Sequence, residues 1–221
     1  MRKYPAEWRG KVHVVPHGFD PPSLEPRRSS RPGDPLRLVY TGRFYGAMRT
    51  PEPLLRAVAR LAAEQQLTSR LRVTFVGSVV PQHRRLADSL GLADIVEFTG
   101  RVPFHDSEQL AANADVLLLI DAPADVSLFL PSKLIDYLPL RLPILGLTPR
   151  RGAAADVLSS MGYPIVAPDD EQGIAGALQS LLERHAAGTL GASPQHEAVA
   201  ARYTSRVTTE AFARVLDGCA P

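Results

Sequence analysis

Short, continuous apolar runs recur along this chain, and stretches with helical spacing separate them. The runs are Val12–Val15, Leu36–Thr41, Leu71–Val76, Ile95–Phe98, Val116–Ile120, Pro143–Leu147 and Pro164–Ala167. They are rich in Val, Ile and Leu, and they do not alternate with polar residues. A strand of that kind has both faces covered, which is the condition of a parallel sheet between helical layers.

The intervening helices have readable ends. Thr50 is placed to cap a helix whose first residue is Pro51, with Glu52 favourable to its dipole. Leu54, Leu55, Val58, Leu61 and Ala62 then share one face. Leu86 and Leu90 give the next helix a buried stripe, and Gly91 suits its last turn. Ser107 is expected to cap a short helix through Ala112, and Ser132 one carrying Leu134, Ile135 and Leu138. Ala154, Val157, Leu158 and Met161 form a further face, ended by Gly162. Asp169 or Asp170 opens a helix with Ile174, Ala177, Leu178, Leu181 and Leu182 inward. Strands alternating with helices predict right-handed βαβ units and a doubly wound, Rossmann-like α/β sheet. Such sheets bind ligands beyond the carboxyl ends of their strands.

Two segments depart from the alternation. Asp20–Pro35 is dense in Pro, Ser and Arg and reads as an exposed loop. Ala186–Gln195 reads as a flexible connector before an amphipathic C-terminal helix, Thr204–Asp217, with Val207, Ala211, Phe212, Val215 and Leu216 on one face. That helix is expected to be the least anchored element.

Composition narrows the function classes. The 221 residues are 45% apolar and 22% charged, which excludes disordered and collagen-like chains. No run approaches the roughly 18 apolar residues that cross a bilayer. MRKYPAEWRG lacks the apolar stretch of a secretory signal, so a cytosolic location is expected. The single cysteine, Cys219, excludes an internal disulfide framework and a Cys-based zinc site. His13, His83, His105, His185 and His196 have no metal-ligand spacing, so no metal is expected. A net charge of +2 gives no reason to expect nucleic acid. Among 25 basic residues only Lys3, Lys11 and Lys133 are lysines, so Lys133 stands out.

Two segments after strands could carry chemistry. In Thr41-Gly42-Arg43-Phe44-Tyr45-Gly46, a glycine lets backbone amides approach a phosphate, and Arg43 and Arg49 could clamp a diphosphate. A tight turn flanked by solvated arginines fits the same residues. In Pro131-Ser132-Lys133-Leu134-Ile135-Asp136-Tyr137, amides at Ser132 and Lys133 could receive a phosphate. Asp136 could take both hydroxyls of a ribose. An ordinary capped helix with surface charge fits there too.

HVVPHGFD at 13–20, LVYTGRFYGAMRTPEPLLRAV at 38–58, VTFVGS at 73–78 and GLADIVEFTGRVPF at 91–104 occur in that order. ADVLLLI at 114–120 and FLPSKLIDYLPLRLPILGLTP at 129–149 follow. The ordered set resembles the C-terminal, donor-binding half of GT-B glycosyltransferases of the family 4 type. The resemblance implies a nucleoside diphosphate sugar as donor, a retaining transfer to a glycan or glycoside, and no metal or other cofactor. It places Gly42, Arg43, Arg49, Ser132 and Lys133 at the diphosphate, with Arg43 and Lys133 in the catalytic role. It places Asp136 at the ribose, and Arg101 and Val102 at the base. Arg49 stands one residue beyond the usual position of a lysine, and His17 replaces an asparagine. Leu128 stands where a glutamate would meet the sugar, with Asp121 or Asp125 as substitutes.

The implied division is a residual interdomain segment at 1–11, a nucleotide-sugar-binding domain at 12–185, and connector plus C-terminal helix at 186–221. The acceptor domain would lie in a separate N-terminal half, and any membrane association would come through it. Two rivals stay open: half of a nucleotide-sugar epimerase, and a non-catalytic binding module.

Overall fold

The computed structural model describes residues 5–20, 33–44 and 48–218. Tyr45 and Gly46 of the first turn, residues 21–32 of the Pro/Ser/Arg-rich loop, and Cys219 lie outside the described residues.

Strands β1 (Leu36–Thr41), β2 (Leu71–Val76), β3 (Val96–Gly100), β4 (Val116–Ile120), β5 (Ile144–Leu147) and β6 (Ile165–Val166) form one sheet in the order β3-β2-β1-β4-β5-β6. Every adjacent pair is parallel. The helices are α1 (Glu52–Glu64), α2 (Pro81–Ser89), α3 (Phe104–Ala112), α4 (Ser132–Tyr137), α5 (Ala153–Ser160), α6 (Glu171–Ala186), α7 (His196–Ala200) and α8 (Ser205–Asp217). This is the expected doubly wound α/β fold.

The side-chain period of a strand divides the core in two. Leu36, Leu38 and Tyr40 of β1 and Val116, Leu118 and Ile120 of β4 face one layer, with Leu54, Leu55 and Val58 of α1 and Ile174 and Leu178 of α6. Val39, Leu117 and Leu119 face the other, with Leu134 and Ile135 of α4 and Ala154 and Leu158 of α5. All five residues of β4 are buried, as its continuous apolar run requires. Each such Leu or Ile contributes about 1.5–3 kcal/mol through burial.

Local corrections have local causes. Val12–Val15 forms no strand; Val14 is almost fully exposed, and the sheet edges are β3 and β6. The third strand runs Val96–Gly100 rather than Ile95–Phe98, and the last is only Ile165–Val166. The third helix starts at Phe104, because Pro103 already holds φ near the helical value, so Ser107 is interior. Ser132 is the first residue of α4 and does not cap it; Pro131 precedes it and accepts from the Leu134 amide. Pro51 takes the capping position of α1, while Thr50 Oγ1 accepts from the Glu52 amide at 3.2 Å. Asp170 caps α6, accepting from Gly173.

The connector matches the expected Ala186–Gln195 except for Ala186, the last residue of α6, and it leads into a short helix, α7, that the sequence did not suggest. His196 opens α7 and is buried between Tyr163 Oη at 2.6 Å and the Leu138 carbonyl at 2.8 Å. The carbonyl can only accept, so Nε2 carries the proton and Nδ1 accepts from Tyr163. Burial lowers the pKa of His196, although its hydrogen bond to Leu138 opposes this. Helix α8 forms as expected, capped by Thr204, and Thr208 is its buried residue. Its start is pinned to the N-terminal segment: Phe19 N donates to Tyr203 O, and Ser205 N to Phe19 O. Among the described residues, no helix is long and apolar enough to cross a membrane.

Candidate functional site

The strand order reverses between β1 and β4, so their carboxyl ends splay the following loops apart. A cavity of about 320 Å³ opens there. It is lined by Gly42, Arg43 and Arg49 after β1, by Leu119 and Ile120 of β4, and by Phe129 to Lys133 leading into α4. All five residues expected at the diphosphate, Gly42, Arg43, Arg49, Ser132 and Lys133, share this one cavity.

Gly42 is there for two reasons. Its φ is +126°, and a Cβ on it would lie 2.8 Å from Lys133 Nζ. The neighbouring Gly77, at φ +127°, could carry no side chain without striking the Gly42 carbonyl, so β1 and β2 end in close backbone contact.

Lys133 reaches back from α4 and lays its ammonium 3.3 Å from the centroid of the Tyr40 ring. Burial lowers its pKa well below the ordinary lysine value, and the Arg49 charge lowers it further; Asp136 and Asp121 oppose this. Tyr40 itself is fully buried. Its ring stacks on Phe44 at 4.6 Å and meets the edge of Phe75. Its hydroxyl donates to the Arg43 carbonyl at 3.1 Å. The Arg43 side chain is exposed at the mouth of the cavity.

Arg49 is held differently. Its Nη2 donates to Asp121 Oδ1 at 3.1 Å, and both side chains are largely buried. Asp121 also accepts from the Ala122 amide at 2.9 Å, Ser127 Oγ at 3.0 Å and Thr148 Oγ1 at 3.5 Å. Its oxygens therefore have partners inside the protein, and it anchors Arg49. Asp125, the other acid expected at the sugar, is exposed on the same loop and is not among the cavity's lining residues. Leu128 is 88% and Phe129 79% exposed. This rim of the cavity is apolar where a carboxylate was the family expectation.

Asp136 lies one helical turn beyond Ser132, with its side chain exposed and outside the cavity lining. Partial burial raises its pKa, while His17 and Lys133 lower it. Arg101 lines a second cavity of about 580 Å³ with Ser78, Val79, Arg84 and Gly100, past the ends of β2 and β3; Val102 is half-buried just beyond. Among the described residues, no group of three or more His, Cys, Asp or Glu is placed to hold a metal ion.

Sequence reasoning missed the supports of the site. Tyr137 is fully buried, and its hydroxyl accepts from the Thr41 amide at 3.0 Å, bonds to Thr41 Oγ1 at 3.1 Å and donates to the Leu118 carbonyl at 3.4 Å. It ties α4 to the last residue of β1. Burial pushes its pKa to about 12. Tyr40, Ser127 and Thr148 were likewise unread. The two tyrosines were findable, since each is a polar aromatic at an otherwise apolar core position next to a turn.

The family described as "Glycosyl transferases group 1" matches residues 35–184. WcaL of Escherichia coli (strain K12), assigned to colanic acid biosynthesis as a glycosyltransferase, is 27% identical over 140 residues, 62% of this chain and 34% of that protein. Among solved structures, the lipopolysaccharide outer core galactosyltransferase WaaB has a TM-score of 0.70 at 14% identity, over 96% of this chain and 57% of its own. Sucrose-phosphate synthase from Thermosynechococcus elongatus has 0.71 at 20%, over 96% and 54%. Anabaena HepE in complex with UDP has 0.66 at 15%, over 84% and 49%. At such identities the structural likeness speaks for the fold, which is that of the C-terminal half of a GT-B protein. The chain spans about a third of the curated relative it matches and about half of these structures.

Proposed function

Because the chain belongs to the group 1 glycosyl transferases, we propose that it is the donor-binding part of a retaining enzyme that moves a sugar from a nucleoside diphosphate to a glycan or glycoside. The observation that carries this reading is the single cavity at the β1/β4 switch point, where Arg43, Arg49 and Lys133 converge with the Gly42 turn. Three cationic side chains beside a glycine turn suit a diphosphate, and they suit it better as it leaves with growing negative charge. Arg43 and Lys133 take the stabilising role, and the Ser132 and Lys133 amides face the phosphate. Asp136 takes the ribose, and the 101–102 loop takes the base. The leaving group is stabilised without a metal. HepE is described with UDP, and with UDP and glucose, which fits a ligand of this class here.

The acceptor and any general base belong to a second module. Phe212 and Leu216 of α8 are each more than half exposed, a face that such a module would cover. The apolar rim at Leu128 and Phe129 favours one further reading, a binding module that has lost transfer.

Titration with ADP, UDP, GDP and dTDP tests the proposal. We expect a dissociation constant of about 0.1–1 mM for the best of them, because half a cleft leaves the ligand in screening solvent. Arg43→Ala should weaken binding more than Arg49→Ala, and neither should alter binding of the free nucleoside. Equal affinities for wild type and both variants would mean that the Gly42 turn is only a turn. The isolated chain should transfer no sugar; robust turnover by it alone would overturn the two-module reading.

A further inference from the structure

Tyr40 is a core residue by burial, yet it touches more of the site than any core role requires. One ring face is taken by Phe44, stacked at 4.6 Å and nearly parallel. The ammonium of Lys133, 3.3 Å from the centroid, must therefore occupy the opposite face. The hydroxyl reaches forward to the Arg43 carbonyl at 3.1 Å. An apolar ring such as Phe would fill the same space in the layer formed with Phe75 and α1, but it offers no donor to the turn, and an aliphatic side chain offers no π face to a cation. On the far side, the Cα of Gly42 closes over Lys133, since even a methyl group there would meet Nζ at 2.8 Å. The lysine head is thus confined between a ring face and a bare backbone, at the floor of the cavity that holds both arginines.

We propose that Tyr40 is a positioning residue of the phosphate site: its ring face sets the Lys133 ammonium, and its hydroxyl sets the turn that carries Arg43. This rests on the reading of that cavity as a diphosphate site. One buried side chain thus holds the Lys133 ammonium and the backbone of the turn that carries Arg43, so the lysine and the base of the arginine are set before ligand arrives. A pre-set lysine loses less side-chain freedom on binding than a mobile one does. The ring face also suits an ammonium short of water. It stabilises the charge while the site is empty and gives no anion to compete with a diphosphate.

The scarcity of lysine makes the test direct. With lysine ¹³C-labelled at Cε, the chain gives three methylene signals, for Lys3, Lys11 and Lys133, and Lys133→Met identifies the third. A methylene above an aromatic face is shifted upfield by the ring current. We expect that offset in the wild type and in Tyr40→Phe, and its loss in Tyr40→Leu. In titrations with the tightest of ADP, UDP, GDP and dTDP, Tyr40→Phe should weaken binding about threefold to tenfold by freeing the turn. Tyr40→Leu should weaken it further, and Tyr40→Leu with Lys133→Met should be no weaker than the worse single variant. A merely structural tyrosine predicts independent, multiplying losses and an unchanged lysine signal; either result overturns the proposal. Tyr40→Phe retains the ring and core packing, so it carries the hydroxyl arm even if Tyr40→Leu does not fold. No binding by the wild-type chain would overturn the functional reading itself. Binding by the wild type with multiplying losses would overturn the role of Tyr40 alone.

Discussion

Strand β4 has an aspartate just before it and another just after it, and each holds an arginine. At the amino end, Asp115 takes Arg37 through a fork: Nη2 to Oδ1 at 2.8 Å and Nε to Oδ2 at 3.0 Å, with the Arg37 amide on Oδ2 at 2.8 Å. At the carboxyl end, Asp121 takes Arg49 at 3.1 Å and shares its oxygens with Ser127, Thr148 and the Ala122 amide. The two pairs are equally buried, with side-chain exposures of 24% and 6% against 25% and 7%. Residue type and burial therefore do not distinguish them; their place in the sheet does. The first pair clamps β1 to β4 where chains enter the sheet. The second is built into the wall of a cavity where the loops part.

The largest effects should come from cutting each pair. Removing one member of a buried ion pair leaves the other charge uncompensated, at a cost of about 3–5 kcal/mol. Asp115→Ala and Asp121→Ala should both lower the urea midpoint by an amount of that order. Only Asp121→Ala should also change nucleoside diphosphate binding, since it removes an anion beside the cavity and unpins Arg49. If the folded Asp115→Ala variant changed affinity as much, the distinction between the ends would fail.

Tyr137→Phe sharpens the contrast with a smaller change. It keeps the packing of α4 and removes the hydroxyl that receives the Thr41 amide. An unmatched buried donor costs about 1–3 kcal/mol. The loss falls one residue before Gly42, so a measured drop in stability should come with weaker diphosphate binding. Unchanged affinity at reduced stability would show that α4 and the turn are set independently.

What the sequence disclosed follows from what is local. Continuous apolar runs announced the parallel strands, because burial on both faces acts on each residue of a run separately. Gly42, Arg43, Arg49, Ser132 and Lys133 could be named because each lies between a strand's carboxyl end and the first turn of the helix that follows it. Partners at long sequence separation were not legible. Nothing near position 121 says that its carboxylate will meet Arg49, 72 residues earlier; the sequence offers Asp121, with Asp125, only as a substitute for the glutamate that Leu128 replaces. Val12–Val15 failed for the converse reason: four apolar residues suit a strand, but a strand also needs a neighbour. His196 opened an unforeseen helix because its partners, Leu138 and Tyr163, come from other elements.

The smallest effect is a slope rather than a midpoint, and it belongs to the carboxyl end alone. Burial and Arg49 depress the pKa of Lys133 in the folded state, against Asp136 and Asp121, while the unfolded chain keeps the ordinary value of 10.5. Between those two values the unfolded state holds a proton that the folded state has released. Stability must therefore rise with pH there, by at most about 1.4 kcal/mol per pH unit. Below the window both states are protonated and the penalty is constant. Shifted histidines and a shifted tyrosine bound the useful range. His83 and His196, also lowered by burial, add a rise of the same sign, centred near and below their ordinary value of 6.5. Tyr137, raised to about 12, acts oppositely from about pH 10 upward, where the unfolded phenol ionises first. At the amino end, the Asp115 hydrogen bond raises the pKa of Arg37, which stays charged throughout. Urea unfolding across the alkaline range up to about pH 10 should thus show wild-type stability climbing and Lys133→Met nearly flat, with the variant the more stable at the lower end. Parallel profiles would mean that the Lys133 ammonium is as well solvated as a surface lysine, and that the Tyr40 face and the Gly42 backbone do not confine it.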